Sequence, residues 1–146
     1  MRQTASRVWA GMLALVGVAA GVAAVGLAGC NDRITQCNAL ITVINEEQAK
    51  HKDASGESSE DLKKLADGLD ATAKKVGDVQ LKDEKLKSQR DEYKKMCEDL
   101  AKAARDTATA GDDPAKRASG VKGMQDIGPR EDKLVNDINA YCQGGG

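Results

Sequence analysis

From Leu86 onward the chain sets Leu86, Tyr93, Cys97, Leu100 and Ala104 at separations of seven, four, three and four, with charged residues filling most of the space between. That period closes one stripe along an α-helix. It cannot line one face of a strand, where side chains alternate every second residue. The exposed side of the same segment offers Asp91 with Lys95 and Glu98 with Lys102 at the four-residue spacing that suits ion pairs on a helix.

The rest of the body follows the same rule. Ile34, Cys37, Ile41 and Ile44, with Leu40 beside them, predict a first helix over residues 32–52. Residues 53–58 read as a loop, and Ser58 with Asp61 three residues on can cap the next helix start. Leu62, Leu65, Leu69 and Val76, supplemented by Ala66 and Ala73, predict a second helix ending near Gly77, and Asp83 is placed to cap the third. Gly111 ends that helix, Asp113 caps the fourth, and Pro114 takes its first position. In the fourth, Leu134, Val135, Ile138, Tyr141 and Cys142 mark one face beyond Gly128-Pro129, where the pattern allows either a kink or a break. Gln143 and the three glycines after it read as a fraying end.

Alternating β-branched runs and Asn-Gly hairpin signals are lacking, so the expected fold is all-α. Short connections favour an antiparallel, up-and-down bundle of about four helices over residues 32–143. A long three-helix bundle and a self-associating coiled coil are the alternatives.

Residues 1–29 differ in kind. They hold no acidic side chain, carry charge only at Arg2 and Arg7 and the amino terminus, and are apolar or glycine from Val8 to Leu27. A basic start, an apolar middle and small residues at the end describe a secretory signal peptide, to be left out of the fold. The boundary sequence Leu27-Ala28-Gly29-Cys30 resembles the lipobox of bacterial lipoproteins at all four positions. The resemblance implies recognition of Leu27, Ala28, Gly29 and Cys30 by type II signal peptidase. It further implies cleavage after Gly29 and a diacylglyceryl group, with fatty acyl chains such as palmitate, on the sulfur of Cys30. Two acyl chains give stable anchoring where one gives only marginal binding. Cys30 and Asn31 would then form the anchor and start of the mature chain. The competing reading leaves Val8–Leu27 uncut as a single membrane-spanning helix, for which about 20 apolar residues suffice.

The chain left after such cleavage has 20 Lys and Arg against 23 Asp and Glu, since Arg2 and Arg7 go with the leader. No nucleic-acid or polybasic membrane surface is indicated. Its aromatic residues reduce to Tyr93 and Tyr141, because Trp9 lies in the leader and there is no Phe. The core must therefore be aliphatic.

Three cysteines remain after Cys30. In an up-and-down bundle of four helices both termini lie at one end, which brings Cys37 near Cys142. Cys97 stands some fourteen residues into the third helix, about 21 Å along its axis. A Cys37–Cys142 disulfide is the expected pairing in an exported chain. Otherwise all three thiols serve as small buried hydrophobes.

Catalytic and metal-binding patterns are lacking. His51, the single histidine, stands between Lys50 and Lys52 and reads as a solvated imidazole. The adjacent acidic pairs, such as Glu46-Glu47, read as solvated faces and helix starts. Phosphate-binding, dinucleotide-binding and nucleophile-elbow motifs do not occur. The expected role is a lipid-anchored structural or protein-binding module of the bacterial cell envelope, without catalysis or cofactor. Its partners would be the membrane, an envelope protein or peptidoglycan, or a second copy, and not nucleic acid. The periplasmic face of the outer membrane is preferred over the inner membrane because Asp32 is not the residue directly after Cys30. The chain is similar to small helical bacterial lipoproteins, though it lacks the terminal lysine by which the murein lipoprotein joins the cell wall. A carrier or sensor with a ligand inside the bundle is the alternative, set against an alanine-rich seam expected to pack shut.

Overall fold

The computed structural model describes the backbone of residues 28–51 and 58–144 and the side chains from Asp32 onward. The expected signal peptide up to Leu27 and most of the first loop lie outside the described residues. Four helices, α1 (Ala28–His51), α2 (Ser59–Gly77), α3 (Glu84–Ala108) and α4 (Pro114–Cys142), form an antiparallel bundle, and there is no strand among the described residues. The alternation of direction shows in the cross-helix partners. Cys37 meets Cys142 while Gln48 meets Glu131, and Asp99 meets Arg130 while Gly120 lies on Thr107.

The helix starts are where local chemistry puts them. Ser58 and Asp61 form a reciprocal capping box, each satisfying a backbone N–H of the other. Asp83 accepts from the Leu86 N–H at 3.0 Å, and Asp113 accepts from Ala115 and Lys116 ahead of which Pro114 opens α4. Between α3 and α4 the turn needs a left-handed residue, which Gly111 supplies with φ of 55°.

Gly128-Pro129 neither breaks nor ends α4, which is assigned as one helix from Pro114 to Cys142. Pro129 removes one donor, but Gly128 has no Cβ to strike the proline ring, the contact that normally drives the preceding residue out of helical geometry.

α1 begins at Ala28, four residues before the expected start, and its buried stripe is rotated from the one expected. Leu40 is wholly buried and lines up with Cys37 and Ile44, whereas Ile34 is 48% exposed and Ile41 is half-buried. On α3 Lys95 and Lys102 each have an acidic residue four positions before and four after. Lys95 takes Asp99 rather than Asp91, and Lys102 takes Asp106 rather than Glu98. Exposed pairs of this kind contribute only about 0.3–0.5 kcal/mol, so the two choices differ little in energy.

α3 packs along most of its length against α2 and α4, while α1 touches the other three more sparingly. At the end that holds the start of α1, the α2–α3 turn and the end of α4, large side chains fill the core, among them Leu40, Leu86, Tyr93 and Ile138. At the opposite end Ala66, Ala101, Ala104 and Ala108 join Leu62, Leu65 and Leu69.

Candidate functional site

Cys37 and Cys142 are joined, with their Cα atoms 5.7 Å apart, at the end of the bundle where both described termini lie. Among the described side chains Cys97 is the free thiol, buried at mid-bundle. Around the disulfide, polar contacts tie three segments together. Gln36 on α1 accepts from the backbone N–H groups of Lys82 and Asp83 in the α2–α3 turn. The hydroxyl of Tyr141 on α4 donates to Asp83 at 2.8 Å, and the Arg33 guanidinium lies over the Tyr141 ring, 5.2 Å from its centre. The backbone bond from Leu86, joined by the bond from Tyr141, outweighs desolvation and holds the Asp83 carboxyl below the usual range. The expected lipidation residue, Cys30, belongs to the backbone of α1 seven residues before Cys37, and its side chain lies outside the described set.

The interior is not packed shut. A cavity of about 90 Å³ opens where α1 ends, with walls formed by Leu65, Leu69, Met96, Leu100, Met124 and Ile127. Gln48, His51, Thr72, Tyr93 and Glu131 bring polar atoms to it. The Gln48 amide donates to a carboxylate oxygen of Glu131 at 2.8 Å and to the Tyr93 hydroxyl at 3.2 Å. Glu131 is only 8% exposed. Burial raises its pKa against the lowering effect of the bonds to Gln48 and Tyr93, and the nearby Asp132 charge pushes the same way as burial.

His51 is a correction to the sequence reading. It is half-buried rather than solvated and its Nε2 lies 3.0 Å from the Thr72 hydroxyl, which itself donates to the Gly68 carbonyl. Burial lowers its pKa although the Glu47 carboxylate pulls the other way, so the ring is neutral at neutral pH. Glu47 also departs from expectation. It is buried, and desolvation alone would raise its pKa, but hydrogen bonds from Lys50 and Lys75 outweigh that and hold it low.

Cys97 lines the same cavity, and burial, reinforced by the Glu131 charge, pushes its thiol up to about 12. Nucleophilic chemistry needs thiolate, which this setting suppresses. Among the described residues no group of three His, Cys, Asp or Glu is placed to hold a metal ion.

Glu131, Glu47, His51 and Gln89 share a signal that was present in the sequence. Each falls in phase with an apolar stripe: Glu131 between Ile127 and Leu134, Glu47 and His51 after Ile44, Gln89 between Leu86 and Tyr93. A polar side chain at an apolar register position is a buried one, and reading it as surface ignores the period. Gln89 is the costliest case, 3% exposed with neither amide atom partnered.

Compared with known proteins, the chain matches no family model, no curated protein and no solved structure.

Proposed function

We propose that this chain is a lipid-tethered helical module of a bacterial envelope, presented to its surroundings from the disulfide-bonded end of the bundle. The observation that carries the reading is the four-residue match Leu27-Ala28-Gly29-Cys30 at the close of an apolar leader, and the last three of the four already belong to α1. Seven residues of helix separate Cys30 from Cys37, a rise of about 10 Å. A body so close to its anchor has little linker to swing on. A disulfide between the first and last helices suits an oxidising compartment outside the cytoplasm.

The same reading needs no membrane-crossing helix in the body, and among the described residues no helix is long and apolar enough to cross a membrane. The role proposed is structural or protein-binding, with an envelope protein, peptidoglycan or a second copy as partner and the periplasmic face of the outer membrane as the preferred site. Chemistry is not part of it: the one free thiol among the described side chains is suppressed and the one histidine is engaged with Thr72.

The test is growth of an expressing bacterium with alkyne-labelled palmitate, followed by intact mass measurement of the purified chain. The expected product begins at Cys30 and carries the mass of its acyl chains, and Cys30→Ala carries no label. Recovery of unlabelled protein that still begins at Met1 would overturn the proposal.

A further inference from the structure

The cavity beside Glu131 has three properties that together select a ligand. Its volume of about 90 Å³ admits only a few non-hydrogen atoms. Its wall is aliphatic and thioether, from Met96, Leu100 and Met124 among others, so a hydrocarbon segment is accepted and a strongly hydrated one is not. Among its polar groups is the Glu131 carboxyl, which accepts from Gln48 and has Tyr93 and the like-charged Asp132 as its other neighbours, none of them a cation.

A buried carboxylate lacking a counter-ion is costly, and a ligand that brings one removes that cost. A neutral ligand leaves it in place and an anion makes it worse. A metal ion would need several His, Cys, Asp or Glu ligands around it, and among the described residues no group of three is placed to hold one. A primary ammonium meets the remaining conditions. It has three N–H donors, and the Glu131 carboxylate and the Tyr93 hydroxyl bring acceptor oxygens to the same cavity, where Gln48 turns its amide nitrogen toward both.

We propose that this cavity binds a primary ammonium group carried on a short aliphatic chain, the nitrogen against Glu131 and the chain between Met96, Leu100 and Met124. This goes beyond the tether and does not depend on it. The ammonium can arrive as a free alkylamine or as the lysine side chain of a peptide, which present the same group on a four-carbon stem.

The test is titration of the full chain, disulfide intact and in a zwitterionic detergent, followed through the methyl NMR signals of its methionines. The probes are n-butylammonium chloride, Nα-acetyl-lysine methylamide and 1-butanol. Saturable shifts of Met96 and Met124 with butylammonium, and binding at least about tenfold weaker for 1-butanol, are the expected result. Lysine-derivative binding as tight as that of butylammonium identifies a peptide source, and its failure with butylammonium bound identifies a free amine. Glu131→Gln should remove the preference for the amine, while Met124→Phe, which fills the wall and leaves the carboxyl alone, should remove binding of every probe. Absence of binding by both amines, equal binding of 1-butanol, or an undiminished amine preference in Glu131→Gln would overturn the proposal.

Discussion

The two ends of this bundle solve the same packing problem with opposite side chains. At the disulfide end four helices surround the core, which is filled by Leu40, Leu86, Tyr93 and Ile138. At the other end α1 has stopped at His51, level with Gly68 and Thr72, and among the described residues only α2, α3 and α4 continue. Three helices enclose less space, and the α3 side of it is filled by Ala101, Ala104 and Ala108 against Leu62, Leu65, Ala66 and Leu69. Where α3 and α4 come closest, Gly120 rests on Ala103 and Thr107. The difference shows that helix number sets the side-chain size a core requires. The cavity sits at the change from four helices to three, where neither solution fits.

Breaking the disulfide should have the largest effect. The bond closes a loop with a sequence separation of 105, for which the chain-entropy model gives up to about 4.7 kcal/mol. Cys37→Ser with Cys142→Ser, or reduction, should lower stability by about 2–5 kcal/mol in urea denaturation. Because α1 has the sparsest contacts, its amides should lose hydrogen-exchange protection before those of α2 and α3. Unchanged stability, or α2 opening first, would remove the disulfide end's claim to be the fixed one.

The opposite end should respond to size. In Gly120→Ala the new Cβ would overlap the Thr107 hydroxyl and press on the Thr107 nitrogen and Ala103 oxygen at 3.0 and 3.1 Å. The hydroxyl cannot simply swing away without losing its bond to the Ala103 carbonyl. Overpacking of this kind costs about 1–3 kcal/mol, which exceeds the helix-propensity gain of about 1 kcal/mol from replacing glycine. Thermal unfolding should show a net loss. A stabilised variant would mean the α3–α4 approach is looser than described.

Glu131→Gln tests the junction. A carboxyl whose folded pKa is raised binds its proton more tightly in the folded state, so stability falls as pH rises from the unfolded value through the folded one. The glutamine variant should therefore match the parent in acid, and melt a few degrees higher at neutral pH, a gain on the order of 1 kcal/mol. A gain that grows on acidification would contradict the assignment. Smallest of all, Lys102→Ala should change stability by no more than about 0.5 kcal/mol, since its bridge to Asp106 is exposed.

Much of this was legible in the sequence, for reasons that are local. Caps at Ser58, Asp83 and Asp113 depend on residues within three positions, and the stripes of α2 and α3 on a single period. The Cys37–Cys142 contact followed from topology, since an even number of antiparallel helices returns the chain to its start. What escaped was set between helices. The rotation of α1 that buries Leu40 and exposes Ile34 depends on which neighbours it meets. The register of Glu47 and Glu131 was readable, but their partners, Lys75 and Gln48, arrive from other helices. The cavity required knowing that α1 ends at His51, level with Gly68 and Thr72 part-way along α2, a mismatch between neighbours that no single helix reveals.

The tethered orientation is the central claim, and distance to a bilayer tests it directly. Nitroxide labels at Lys85→Cys, beside the disulfide end, and at Asp112→Cys, in the far turn, can be measured against gadolinium headgroups in vesicles carrying the lipidated chain. Both positions are exposed, Lys85 in the first turn of α3 and Asp112 just past its end, and the 25 residues of that helix span about 37 Å. The Lys85 label should lie near the headgroups and the Asp112 label farther out by most of that length. Equal distances, or the far turn nearer the bilayer, would contradict the tethered orientation.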